Sequence, residues 1–435
     1  MAQLLICAVP NPGHVNPMLT VSRHLLAAGH TILFHTAEVF RRKVEASGFE
    51  FVSLRGKANY NYLRPDEYFP DRNSVPPGPE LQNLTLRAVF SDLLVDQHRG
   101  LEELLRTRSI DLIVIDTLFF GAFPLLLGPP NQRPPVVCCG VNPMFLTGFD
   151  AGPTAPPAKT AAERETVQQT NRELLETFEP FAVHVNEKLR EVGSPSLPAP
   201  PLDCVYTLPD LFLQFSVAEF EFAPSDRPST VHFVGPILPK ATESFQEPPW
   251  WGDLDSGRPI VLVTQGTLAN TDLTELIEPT LRALADEDVL VIAATGDTDA
   301  TISAVPRNAR VAPFIPFDQL FPRVSVFVTN GGYGAVNQAL AAGVPVIAAG
   351  LTEDKSFVSQ RVAWSGAGIN LKTSRPTELQ IRSAVLEALS NASYRRKAAV
   401  LRQQIARHNP LQAVADAVDS LLPKGVPAEL SAALG

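Results

Sequence analysis

Residues 329–355 hold the densest set of groups that could handle a phosphate and a sugar. They read Thr329-Asn330-Gly331-Gly332-Tyr333-Gly334, then Gly343-Val344-Pro345, then Thr352-Glu353-Asp354-Lys355. The pattern predicts a strand (Val324–Thr329), a glycine turn, a helix (Ala335–Ala342), a strand (Pro345–Ala349) and an acidic loop. A glycine turn between strand and helix lets the backbone approach a ligand closely. It also aims free N–H groups and the positive helix end at an anion. Asp354, past the carboxyl end of the next strand, falls where open parallel sheets bind their ligands. A phosphate site beside a hydroxyl-accepting carboxylate suggests a nucleotide sugar. The glycine turn alone would serve equally as a plain tight turn; the ordered set makes the reading specific.

A second group could move a proton. His14 follows the apolar run Leu4–Val9 through Pro10-Asn11-Pro12-Gly13, and Asn16 and Pro17 fit a helix N-cap and first position. His14 is therefore expected at the carboxyl edge of the first strand, where an imidazole can take a proton near neutral pH. Asp116 ends the run Leu112–Ile115. In a doubly wound order that strand can lie beside the first, and Asp116 would then hold the imidazole tautomer. The alternative is a capping histidine and a separately hydrogen-bonded aspartate.

No nucleophile accompanies the pair. There is no G-x-S-x-G turn, and Cys7, Cys138 and Cys139 fall in apolar strands. Without a covalent intermediate, a single displacement with inversion is expected. Two D-x-D triplets, Asp253-Leu254-Asp255 and Asp297-Thr298-Asp299, read as solvated loop carboxylates, so no metal is expected.

The surrounding chain must position these groups. Apolar runs of four to six residues alternate with amphipathic stretches: Leu4–Val9, Thr31–His35, Glu50–Ser53, Leu112–Ile115 and Val136–Cys139 as strands, with Met18–Ala28, Val39–Ser47 and Leu81–Thr107 as helices. That is the pattern of a parallel sheet covered on both faces. The alternation restarts at Ile260–Thr264, Val289–Ala293 and Val311–Phe314, with a helix at Leu273–Asp286. Proline-rich 235–252 separates the halves, giving domains 1–234 and 253–435. At 435 residues the chain suits two domains of about 200 residues each.

The segment 329–355, together with Pro12-Gly13-His14-Val15-Asn16-Pro17, resembles the family 1 glycosyltransferases, the UDP-glycosyltransferase superfamily, in its bacterial macrolide-glycosyltransferase-like branch. The resemblance covers nearly the whole chain. It implies an α/β fold of the GT-B type: two facing doubly wound Rossmann-like domains with a cleft between them, the last helix able to pack back on the amino domain. It implies His14 as general base, oriented by Asp116. It places Thr267 on the diphosphate, Phe314 and the Ile315 backbone on the base, and Asn330, Gly331, Gly332, Gly334, Gln338, Glu353, Asp354 and Lys355 around the rest of the donor. Asn330 stands where the family usually has His, Ala335 where it has Ser, Gln338 where it has Glu, and Lys355 where it has Gln. Lys355 is expected to pair with Glu353 or Asp354, to contact a phosphate, or to favour an anionic sugar.

Aromatic residues in amino-half loops, among them Tyr60, Phe69, Phe119, Phe120 and Phe145, could line an apolar acceptor pocket, although many must be core. The expected reaction is hexose transfer to a hydroxyl of a polyphenol, macrolide or terpenoid. The co-substrate is a UDP-sugar or TDP-sugar, UDP-glucose leading, with no bound cofactor. A nucleotide-sugar epimerase or a catalytically silent partner of another transferase are the alternatives. An NAD oxidoreductase is disfavoured, because no G-x-G-x-x-G follows Val9.

Bulk composition narrows the classes further. Net charge is −10, which argues against nucleic acid as a partner. Apolar residues at 45% and charged residues at 19% fit a globular chain. The most apolar long stretch, Ile110–Gly128, is interrupted by Asp111, Asp116 and Pro124, so no membrane span is expected. Four cysteines without metal spacing fit a reducing cytosol, and a monomer or homodimer is expected.

Overall fold

Short runs that are apolar on both faces cannot sit on a solvated sheet, so they become strands covered on both sides. In the computed structural model, which describes residues 1–70, 74–75, 79–239, 245–266, 272–296 and 301–422, they form two all-parallel sheets. The amino sheet contains β1 (Gln3–Cys7), β2 (Thr31–Thr36), β3 (Glu50–Ser53), β4 (Leu112–Asp116), β5 (Val136–Gly140), β6 (Leu211–Gln214) and β7 (Val231–Phe233), in the order β3-β2-β1-β4-β5-β6-β7. The carboxyl sheet contains β8 (Ile260–Thr264), β9 (Leu290–Ala294), β10 (Ala309–Ala312), β11 (Val326–Thr329), β12 (Val346–Ala348) and β13 (Gly368–Asn370), in the order β10-β9-β8-β11-β12-β13. The helices that matter for the site are α1 (Pro12–Ala27), α2 (Ile277–Ala283), α3 (Tyr333–Ala342), α4 (Lys355–Trp364) and α5 (Pro410–Leu421).

Each sheet feeds two apolar layers. Leu5 and Cys7 join one cluster while Leu4 and Ile6 join another, as the two-residue period of a strand requires. Likewise Leu262 and Val263 belong to opposite layers of the carboxyl sheet. The two doubly wound units match the expected α/β class.

Helix boundaries differ from the sequence expectation at the amino end. The first helix begins at Pro12, not at Pro17, with Asn11 as its N-cap. Pro12 satisfies the first helical position as well as Pro17 does, because neither has an N–H to leave unpaired. Pro17 then lies inside the helix, and His14 sits in its first turn rather than in a loop. The region Leu81–Thr107 is also not one helix. A π-helical turn at Arg87–Ser91 separates Pro79–Leu86 from Leu94–Thr107.

The chain crosses between the units twice. Val217 and Phe220, just past β6, are buried in the carboxyl-unit cluster. Helix α5 buries Val414, Ala415, Ala417 and Val418 in the cluster that holds Leu4, Ile6, Val15 and Leu19 of the amino unit. Its start is capped by the Asn409 side chain, which accepts from Gln412 N–H. Val418 is fully buried there. Val418→Ala should therefore destabilise the protein by roughly 1–3 kcal/mol. A lowered urea midpoint checks this, and an unchanged midpoint would mean that α5 contributes no core.

Candidate active site

Both sheets reverse their strand order at one place, between β1 and β4 and between β8 and β11. At such a switch point the connections leave in opposite directions and open a crevice at the carboxyl edge. The two groups picked out from the sequence lie at these two points.

At the amino switch point Asp116 ends β4 and is completely buried. Its Oδ2 accepts from Val9 N–H at 2.5 Å and its Oδ1 from Leu118 N–H at 2.8 Å. These bonds fix the carboxylate between the ends of β1 and β4. His14 Nδ1 stands 3.1 Å from Asp116 Oδ1. The angle is too poor for a formed hydrogen bond, so Nδ1 counts as unpartnered despite the distance. Loose geometry of this kind is common in a base without its substrate. With Nδ1 turned to Asp116, Nε2 is the nitrogen that can accept a proton. Asn11, the N-cap of α1, donates from Nδ2 to Tyr60 Oη at 3.0 Å. Burial pushes the Tyr60 phenol well above its usual value.

At the carboxyl switch point two helix N-termini are available, and they differ. That of α2 is already filled: Gln265 Oε1 accepts from Leu276 N–H at 3.2 Å and Ile277 N–H at 3.0 Å. That of α3 has no side-chain cap among the described residues. Its turn is held by Asn330, whose Nδ2 donates to the Gln265 carbonyl and so ties β11 to β8. Gly331 has φ +90°, a left-handed backbone that favours glycine. Gly350 lets β12 pass close by, since a Cβ there would stand 2.0 Å from Asn330 O. Among the described residues, a Cβ on Gly334 would meet nothing within 4 Å. Gln338 sits one turn further along α3, its Nε2 donating to Gly334 O at 3.3 Å.

The acidic loop closes this edge. Asp354 is the N-cap residue of α4 but makes no capping bond with its side chain. Glu353 before it has φ +56°, a strained conformation for a residue with a Cβ. Lys355 pairs with the Glu353 carboxylate and also reaches Thr352 Oγ1 at 3.4 Å. The Asp354 side chain keeps some exposed surface, yet its carboxyl lies where little water reaches it. Burial raises its pKa; the Lys355 ammonium and the His14 imidazole pull it down, and Glu353 pushes it up. The His14 imidazole of the amino unit thus acts on the Asp354 carboxyl of the carboxyl unit.

Other sequence-picked residues are scattered. Phe314 is 74% exposed just after β10, while Ile315 is buried. Phe145 meets Phe357 of α4 edge-on at 5.0 Å, touching the carboxyl unit. Phe69 is buried. Phe119 and Phe120 offer no surface to a ligand: they are 2% and 1% exposed. Phe119 packs on the His35 ring, and Phe120 on Phe123 and Phe181. The reason is local. Gly121 N–H donates to Gln97 Oε1, and a Cβ there would stand 2.3 Å from Gln97, so the segment lies flat on the helix beneath. Thr267 and the triplet Asp297-Thr298-Asp299 lie outside the described residues. The first triplet is spent on ion pairs, Asp253 with Arg310 and Asp255 with Arg323.

Sequence reading missed the residues at the junction of the units: Gln214, Glu221 and Arg361, and the part played by Tyr333. Glu221 and Arg361 are fully buried and paired at 2.8 Å. One signal was available. Helix α4 contains Phe357, Val358 and Val362, with Arg361 among them, and an arginine in such a stretch needs a buried partner.

Comparison with known proteins identifies the family. Residues 278–421 match the model of the erythromycin biosynthesis protein CIII-like C-terminal domain. The 4'-demethylrebeccamycin synthase of Lentzea aerocolonigenes is 38% identical over 427 residues, covering 96% of this chain and 98% of that protein. UDP-glycosyltransferase 2 of Phaeomoniella chlamydospora is 34% identical, covering 96% and 95%. The crystal structure of the calicheamicin glycosyltransferase CalG4 superposes with a TM-score of 0.73 at 23% identity, covering 98% of this chain and all of that one. With close to its full length shared with such relatives, the chain belongs to the family 1 glycosyltransferases, in their macrolide-glycosyltransferase-like branch.

Proposed function

We propose that the protein transfers a hexose from a nucleoside-diphosphate sugar to a hydroxyl of a small apolar natural product, with His14 as the base. UDP-glucose is the leading donor. The observation behind this reading is the His14–Asp116 pair, 3.1 Å apart at the amino switch point, with Asp354 at the N-cap of α4 on the carboxyl side. A base and a hydroxyl-accepting carboxylate are thereby brought to one cleft, beside an uncapped helix N-terminus. The naming of relatives as a UDP-glycosyltransferase and a UDP-glucosyltransferase supports the same chemistry.

The steps follow from the residues. His14 Nε2 takes the proton of the acceptor hydroxyl, and Asp116 stabilises the imidazolium through Nδ1. The acceptor oxygen forms its bond to the anomeric carbon as the bond to the diphosphate oxygen breaks. The leaving diphosphate carries away the electron pair, its charge met by the free N–H groups at the start of α3. Asp354 accepts from sugar hydroxyls. Exposed Phe314 offers a stacking face to the nucleobase, and Tyr60 and Phe145 border the acceptor side. A silent partner subunit would not need His14 and Asp116 held 3.1 Å apart.

His14→Ala should lower kcat about 10²–10⁴-fold with nucleoside-diphosphate affinity intact. Full activity in that variant would sink the assignment. Asp116→Asn should be slow as well, because the amide disturbs the imidazole tautomer.

Turnover should need no divalent ion. Asp253 and Asp255 are bound to arginines rather than set at the diphosphate end of a strand. Activity lost in EDTA and restored by Mg²⁺ or Mn²⁺ would contradict this.

Asp354→Ala removes a charged acceptor for sugar hydroxyls, worth about 1.5–3 kcal/mol. Transfer should fall while UDP, which has no sugar, binds as before. Because burial raises the Asp354 carboxyl, acid should protonate it before an exposed aspartate, and transfer should fall on that acid side. Calorimetric titration of UDP into both proteins decides the first point. A large loss of UDP affinity would move Asp354 to the nucleotide pocket.

A further inference from the structure

The junction between the units holds a buried polar cluster that the mechanism above does not use. Tyr333, the first residue of α3, donates its hydroxyl to Glu221 Oε1 at 2.6 Å and accepts from Gln214 Nε2 at 3.0 Å. Glu221 Oε2 accepts from Arg361 Nε at 2.8 Å and from Met144 N–H at 3.0 Å. Arg361 donates further to Met144 O at 2.6 Å, Pro153 O at 3.2 Å and Phe357 O at 3.0 Å, and its guanidinium lies 4.4 Å from the Phe222 ring centre. Gln214, Met144, Pro153 and Glu221 belong to the amino half; Tyr333, Phe357 and Arg361 belong to the carboxyl half. Both charged side chains are completely buried.

Stability is a poor explanation for such a cluster. A buried ion pair loses about as much by desolvation as it gains, and apolar residues would often do as well. What it supplies is a fixed geometry. A path of hydrogen bonds and chain neighbours joins it to Asp116, beside the base. Thr117, next to Asp116, donates to Cys139 O at 3.0 Å and accepts from Val141 N–H at 3.2 Å. Gln214 Nε2 then bridges Asn142 O, at 2.8 Å, to the Tyr333 hydroxyl. On the other side, Tyr333 is flanked by Gly332 and Gly334, the backbone that opens onto the cleft.

We infer that the Glu221–Arg361–Tyr333 cluster is a rigid joint that fixes the start of α3 relative to the sheet edge bearing His14. Tyr333 and Glu221 are then positioning residues. They set how far the anomeric carbon stands from the acceptor oxygen, without touching either. The inference rests on the transferase reading for its kinetic consequence, but not for the joint itself.

Tyr333→Phe tests it, because the ring keeps its apolar packing and only the hydroxyl is lost. In the free protein, hydrogen exchange should speed up at Met144 N–H and in the first turn of α3. With saturating UDP-glucose and a phenolic acceptor, kcat should fall roughly 10- to 100-fold, the span for a misplacement of about 1 Å. Hydrolysis of UDP-glucose by water, which needs no aligned acceptor, should fall less than transfer does. Glu221→Gln should behave alike; if the unpaired Arg361 prevents its folding, Tyr333→Phe still decides. Unchanged exchange at both places overturns the joint, whatever the protein's activity. Faster exchange with unchanged transfer overturns the positioning role. An equal fall in hydrolysis and transfer overturns it too, because the hydroxyl would then serve donor cleavage rather than acceptor alignment.

Discussion

The Asp116 carboxylate is the interaction on which the amino half of the site depends. It ends β4, is wholly buried, and is held by the N–H groups of Val9 and Leu118. Bonds to a charged acceptor are worth about 1.5–3 kcal/mol each, so the same group that faces His14 also shapes the exit of β1. The turn Pro10-Asn11-Pro12-Gly13 follows directly, and its second proline starts α1 early enough to set His14 in the first turn. Local backbone chemistry and the proposed proton transfer therefore share one charge.

The carboxyl half is arranged by a different constraint, the need to leave one helix end open. Gln265 fills the start of α2, and Asn330 fastens β11 to β8, while α3 begins with no side-chain cap among the described residues. Asn330 is thus a strut in this chain, which suits an amide better than a charged ring. Lys355 pairs with Glu353, and Asp354 has no direct ion pair among the described residues. The two halves then meet through a buried hydrogen-bonded cluster. Removing one member of such an ion pair would cost about 3–5 kcal/mol, far more than the pair adds over an apolar replacement.

Much of this was legible in the sequence for a physical reason. Fully buried parallel strands leave apolar runs such as Leu4–Val9 and Ile260–Thr264, and glycines mark where β11 turns into α3. His14 and Asp116 could be paired because the doubly wound order makes β1 and β4 neighbours. Less was legible where composition is ambiguous. Phe119 and Phe120 look the same in sequence whether they line a pocket or fill a core; the contact of Gly121 with Gln97 settles it, and that contact is tertiary. The start of α1 was misplaced because Pro12 and Pro17 both suit a first helical position. Glu221 and Arg361 lie 140 residues apart and belong to different units, so neither periodicity nor motif connects them.

The central claim is that one base and no nucleophile perform the transfer. The stereochemistry of the product tests it most directly. UDP-α-glucose and a phenolic acceptor would be incubated with the protein, and the anomeric configuration of the isolated glucoside read from its proton NMR coupling. A single displacement at the anomeric carbon, with His14 as base, predicts the β-glucoside alone. An α-glucoside would require a second displacement or front-face attack, and would contradict the account.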